Sequence, residues 1–190
     1  MSPLDPIEQK ELLRIARATL GEFLALGLIP PGKPHRESLL APAGAFVTLK
    51  TRNGQLRGCI GTFASSSPLY LTVQEMAVAA GTRDPRFSPV TEEELEELRM
   101  EISVLSPREP LSDPSAVQVG VHGLCISKGY HHGVLLPQVP VEQGWDRETF
   151  LDHVSLKAGL HAHAWKDPEA RLEVFTAQVF GESGLEQQGV

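Results

Sequence analysis

Cysteine is scarce in this 190-residue chain, which has only Cys59 and Cys125. Two thiols cannot form the framework of a secreted disulfide protein, and neither lies in the paired spacing of a structural zinc site. A single Cys59–Cys125 bridge is open in principle but disfavoured in a reducing compartment. No apolar run reaches membrane-spanning length. Met1-Ser2-Pro3-Leu4-Asp5 lacks the charged and apolar regions of a signal peptide, so a cytoplasmic protein with no membrane contact is expected. Also missing are a Gly-rich phosphate cradle after a strand, a Gly-x-Ser-x-Gly elbow, a His-Glu-x-x-His pair and a nucleotide-binding signature. Their absence removes the common nucleotide, serine-hydrolase and zinc-protease readings, and no cofactor is expected. Excess positive charge is lacking too: the net charge of −7 argues against a basic nucleic-acid surface. Much of it sits in Glu92-Glu93-Glu94-Leu95-Glu96-Glu97, most simply a solvated helix face.

What the chain does have is a cysteine between glycines in an apolar strand, Leu56-Arg57-Gly58-Cys59-Ile60-Gly61-Thr62. Ala45-Phe46-Val47-Thr48-Leu49-Lys50 precedes it with strand-forming residues, and Asn53-Gly54 between them is a strong hairpin signal. A two-residue turn there sets Arg52 against Gln55, Lys50 against Arg57, Thr48 against Cys59 and Val47 against Ile60. Alternation then places Val47, Leu49, Leu56 and Ile60 on a core face, with Thr48, Arg57 and Cys59 on the other. Glycine in a strand marks a bulge or a close approach to the backbone, so Gly58 and Gly61 would leave Cys59 accessible. Arg57 on the same face would favour its thiolate. Two readings of Cys59 therefore stand, a reactive thiol or a small buried hydrophobe.

Asp5-Pro6-Ile7-Glu8 reads as the start of a helix running from Pro6 to about Leu26, with Gly27 as its stop. Ser67-Pro68 starts a second helix that Gly81 ends, and Thr91-x-x-Glu94 caps a short acidic one to about Leu98. Met100 to Leu105 alternates as a strand, placing Glu101 opposite its apolar residues, either solvated or paired with a buried cation for which Arg57 is the candidate. Short strands are expected at Val117 to Val119, His122 to Lys128 and Val134 to Val139, with His131-His132 on a turn. Asp146 caps a helix from Arg147 to about Ala158, a strand spans Arg171 to Phe180, and the tail 181–190 reads as loose. Antiparallel runs mixed with helices indicate an α+β fold, a mainly antiparallel sheet flanked by helices with a smaller second lobe within 107–145.

A cysteine nucleophile needs a base, and His122, held in Gly120-Val121-His122-Gly123, is the best placed of the six candidates among seven histidines, His35 being a linker residue. It could equally be a surface histidine of a hairpin. Asp84-Pro85-Arg86-Phe87, on a proline-broken loop, fits either a ligand-contacting loop or a connector with an internal Asp84–Arg86 ion pair. Gln138 is an amide in an apolar stretch; it could hold a substrate or tie down a neighbouring backbone. The histidine pairs lack a carboxylate or cysteine at ligand spacing, so no metal is expected.

Leu56-Arg57-Gly58-Cys59-Ile60-Gly61, Asp84-Pro85-Arg86-Phe87, Glu101-Ile102-Ser103-Val104-Leu105, His122-Gly123-Leu124 and Leu135-Leu136-Pro137-Gln138-Val139 together resemble the AMMECR domain family. That family takes its name from the AMME-syndrome chromosomal region, and its prokaryotic members are protein A of the AmmeMemoRadiSam system. The resemblance runs from about Leu12 to Phe180 and includes Gly144-Trp145-Asp146 and Lys157-Ala158-Gly159-Leu160. It implies a single domain of two unequal lobes with the cysteine motif near a cleft, and Memo-like and radical-SAM proteins as partners. The family has no firmly established reaction. The leading expectation is a cysteine-dependent transferase or hydrolase, or a component of one, acting on an unknown small molecule or peptide. In it Cys59 is the nucleophile, Arg57 and Glu101 set the charge, His122 serves as acid or base, and Asp84, Arg86 and Gln138 shape the substrate site. The competing expectation is a non-catalytic scaffold for the same partners.

Overall fold

The computed structural model describes residues 3–182. It divides into two compact units, one of residues 3–105 with 178–182 and the other Ser106–Ala177.

In the first unit α1 (Pro6–Leu26) begins at a complete capping box. The Asp5 side chain accepts from the Ile7 and Glu8 amides, while Glu8 reaches back to the Asp5 amide. Gly27, at φ +70°, ends the helix as expected. β1 (Ala45–Thr51) and β2 (Leu56–Thr62) form the hairpin, α2 spans Leu69–Thr82 and α3 Glu92–Leu95. β3 (Leu98–Leu105) pairs antiparallel with β1, and with β8 (Ala177–Gly181) the sheet order is β2-β1-β3-β8. Gly81 lies inside α2 rather than ending it: a Cβ there would come 2.8 Å from Leu20 Cδ1, so its smallness lets α1 and α2 approach. Leu12, Leu20, Val47, Leu49, Leu69, Val73, Met100 and Ile102 form the core between these helices and the sheet.

The second unit carries β4 (Glu109–Pro110), β5 (Gly123–Lys128), β6 (His131–Leu135) and β7 (Arg171–Phe175), in the order β4-β7-β5-β6. Helix α4 is Gln138–Gln143, and α5 (Arg147–Lys157) is capped by Asp146, which accepts from the Thr149 amide. Phe150, Leu151 and Val154 of α5 pack with Leu124, Ile126 and Leu172 in a separate core. This unit takes in more chain than 107–145, because β7 fills the sheet position between β4 and β5. Its ends meet: the Ser106 amide donates to the Thr176 carbonyl and the Thr176 amide to Ser106 Oγ, each at 2.9 Å.

Several local expectations change. Val117 to Val119 follows a 3-10 turn at Pro114–Ala116 and forms no strand. The stretch Val134 to Val139 is strand only to Leu135. Pro137 then takes helical angles, Pro140 sits in the first turn of α4 where an amide needs no acceptor, and Gly144 closes the helix at φ +67°. His131 and His132 lie on β6, and Gly129-Tyr130 makes the turn. The expected strand from Arg171 to Phe180 breaks at Thr176 into β7 and β8 (Ala177–Gly181). Gly181 ends β8, and Glu182 pairs with Arg17 and accepts from the Met100 amide, so the chain is still anchored where a loose tail was expected. Residues 183–190 of that tail lie outside the described residues. Among the described residues no helix is long and apolar enough to cross a membrane.

Candidate functional site around Cys59

The hairpin loop is one residue longer than the Asn53-Gly54 signal implies. The Thr51 amide donates to the Gln55 carbonyl at 2.8 Å and Gly54, at φ +80°, to the Thr51 carbonyl at 2.9 Å, leaving Arg52, Asn53 and Gly54 between the strands. Lys50 therefore faces Leu56, not Arg57, and a bulge follows in which Arg57 is the extra residue. Beyond it Leu49 faces Gly58, Thr48 faces Cys59 and Val47 faces Ile60. The longer loop and the bulge cancel, so the expected Thr48–Cys59 register holds. Leu56 falls out of phase with the core and is 40% exposed.

The two glycines have opposite tasks. A Cβ on Gly58 would lie 2.2 Å from the Ala80 carbonyl oxygen, so α2 rests directly on the backbone of β2. A Cβ on Gly61 would lie 2.2 Å from the Phe46 ring, which covers that position on the other face. The space beside Cys59 is thus filled by structure. Cys59 itself stays partly exposed, with the Thr48 hydroxyl donating to its Sγ at 3.3 Å.

β2 is an edge strand, and side chains take the place of a neighbour. The Cys59 amide donates to Asp84 Oδ2 at 2.9 Å, and Arg86 Nη2 donates to the Cys59 carbonyl at 3.4 Å. Arg86 also grips Asp84 through Nε to Oδ1 at 2.9 Å and Nη2 to Oδ2 at 2.6 Å. Asp84 is 4% exposed. The Arg86 guanidinium, aided by the Cys59 and Arg86 amides, holds its carboxyl well below the usual carboxylate range despite burial.

Arg57 does not serve the sulfur. Its Nε and Nη2 donate to the Glu94 carboxylate and its Nη1 to the Ser88 carbonyl at 2.9 Å. Glu94 is held below its ordinary range by this guanidinium. Phe87 lies near both cations, 6.0 Å from Arg57 and 5.4 Å from Arg86. Glu101 shares the Cys59 face, opposite Thr48, but its partner is Lys50 at 2.9 Å and not Arg57. The Thr91-x-x-Glu94 pattern marks Glu94 as a capping residue of α3, and its amide does donate to Thr91, but nothing in the run of like charges signals that its carboxylate goes to Arg57.

His122 and Gln138 belong to the second unit. His122 precedes β5, and its Nδ1 accepts from the Gln118 amide at 3.2 Å. Gln138 begins α4 and is half-buried, rather than lying in a strand. Among the other histidines, His153 stacks on Trp145 at 3.8 Å, His163 meets Asp152 and His131 meets the Ala158 carbonyl. Both cysteines are free. Cys125 is buried, which pushes its thiol up to about 11. Among the described residues no group of three or more His, Cys, Asp or Glu side chains is arranged to hold a metal ion.

Two antiparallel sheets flanked by helices make this an α+β protein whose distinguishing feature is a cysteine strand fastened by an acid–base pair. Residues 13–180 match the AMMECR1 family, and the chain belongs to it. A protein of Methanothermobacter thermautotrophicus is 42% identical over 192 residues, covering 96% of this chain and 98% of its own. Protein MK0488 of Methanopyrus kandleri is 42% identical over 92% of this chain and 88% of its own. The crystal structure of the uncharacterized protein PH0010 from Pyrococcus horikoshii is similar, with a TM-score of 0.83 and 40% identity. That match covers 92% of this chain and 91% of PH0010.

Proposed function

We propose that this chain is an enzyme component in which Cys59 is a nucleophilic thiol that receives and passes on a group. The observation supporting this is the treatment of one residue. Cys59 has its amide and carbonyl fastened by Asp84 and Arg86 and its sulfur oriented by Thr48, yet remains partly exposed. A buried structural cysteine such as Cys125 needs none of these contacts.

A carrier fits better than a self-contained catalyst. Each carboxylate around the motif is committed to a cation: Asp84 to Arg86, Glu94 to Arg57 and Glu101 to Lys50. Among the described residues of this unit no free base stands beside the thiol, so the proton leaves to solvent or with the donor's leaving group as the bond to sulfur forms. Such a component works with other enzymes, and the AMMECR resemblance implies Memo-like and radical-SAM proteins in that place. Cytoplasmic location is part of this reading, since a carrier thiol needs reducing surroundings.

The test is the rate at which iodoacetamide labels Cys59 at neutral pH, compared with the same chain unfolded. Faster labelling in the folded protein is expected; labelling no faster than in the unfolded chain removes the nucleophile. Cys125 should be labelled only after unfolding.

A further inference from the structure

We propose that the group brought to Cys59 is carried by an anionic substrate, a carboxylate or phosphate ester, and that Arg86 receives its charge. This rests on the reading of Cys59 as nucleophile and names the substrate class.

The argument is one of geometry. Arg86 is anchored through Nε and Nη2 to a buried carboxylate and to the Cys59 carbonyl. Its Nη1 makes no hydrogen bond among the described residues. The side chain is 54% exposed, while that of Asp84 is 2% exposed. The negative end of the pair is therefore turned inward and the positive end outward, attached to the main chain of the nucleophile itself. A guanidinium held on one edge and open on the other is a preorganised site for a carboxylate or phosphate oxygen. Arg57 offers no such edge, since Nε, Nη1 and Nη2 are all engaged. Phe87 beside Arg86 gives the site an apolar wall. Asp84 is in this account a positioning residue: it touches the Cys59 amide and fixes the direction of Arg86.

Two alkylating reagents of nearly equal size read this out, anionic iodoacetate and neutral iodoacetamide. In both reactions the sulfur forms a bond to the reagent's methylene carbon, iodide leaves with the electron pair of the broken bond, and the thiol proton goes to solvent. Rates at Cys59 are followed by peptide mapping on the whole chain and compared with those of glutathione. The expected result is an iodoacetate-to-iodoacetamide ratio about tenfold above that of glutathione, reduced to the glutathione value in R86Q and largely recovered in R86K. Inorganic phosphate should slow iodoacetate and leave iodoacetamide unchanged. Brisk labelling by both reagents at the glutathione ratio, or a raised ratio that survives R86Q, overturns the anionic substrate and leaves the nucleophile standing. Labelling by neither reagent overturns the nucleophile, and the substrate assignment with it. If R86Q loses its native circular dichroism, R86K and the phosphate competition decide the matter.

Discussion

Asp84 illustrates how much one side chain carries. Its carboxylate accepts from the Cys59 amide, from the Arg86 amide and from two guanidinium nitrogens. In Asp84→Asn an amide nitrogen faces the guanidinium, and bonds to a charged group are lost; the expected cost is about 2 kcal/mol at pH 7, read from urea midpoints. The pH dependence follows from the lowered carboxyl. Above the unfolded value of about 3.9 both states are ionised and the stabilisation is complete. As the pH falls below that value the unfolded chain takes up a proton first, and the stabilisation drains away until the folded carboxyl protonates too. The gap between wild type and Asp84→Asn should therefore narrow from pH 7 to pH 3. A gap independent of pH would mean that Arg86 does not hold Asp84 ionised.

At the scale of elements, the cysteine strand is placed by two backbone approaches, α2 onto Gly58 and the pairing with β1. The first is the stricter. Gly58→Ala sets a methyl group 2.2 Å from a carbonyl oxygen of helix backbone, which cannot turn aside as a side chain would. A loss of about 3 kcal/mol is expected, the upper end for overpacking, seen as a lower urea midpoint. Without that loss, α2 would have to lie farther from β2. The elements also show why the first residues of α4, Gln138 and Val139, read as strand. A short apolar run such as Leu135-Leu136-Pro137-Gln138-Val139 fits either period, and two prolines fit a first helical turn as well as a strand end. The sequence contains no further signal to separate them.

For the whole molecule, the consequence of two separate cores is local response. Phe150, fully buried among Leu124, Leu151 and Val154, anchors the second unit, and Phe150→Ala should cost about 3–5 kcal/mol there. Faster amide hydrogen exchange is expected first within 106–177, with β1 little affected. Equal acceleration in β1 and β5 would show that the chain unfolds as one cooperative body. Determined by the sequence alone were the parts that depend on neighbours along the chain: the Asp5–Glu8 capping box, the Asp146 cap, the β1–β2 hairpin and the class of the fold, whereas the Thr48–Cys59 pairing holds only because a longer loop and a bulge cancel. The ion pair within Asp84-Pro85-Arg86 was also legible, because two residues is within reach of its side chains. Only tertiary structure decided which cation stands at the cysteine. Arg57 lies nearer in sequence, but Glu94 and the Ser88 carbonyl, more than thirty residues away, take up its guanidinium. Asp84 and Arg86 arrive instead at the open edge of β2, because an unpaired strand edge must find partners and no local pattern says from where.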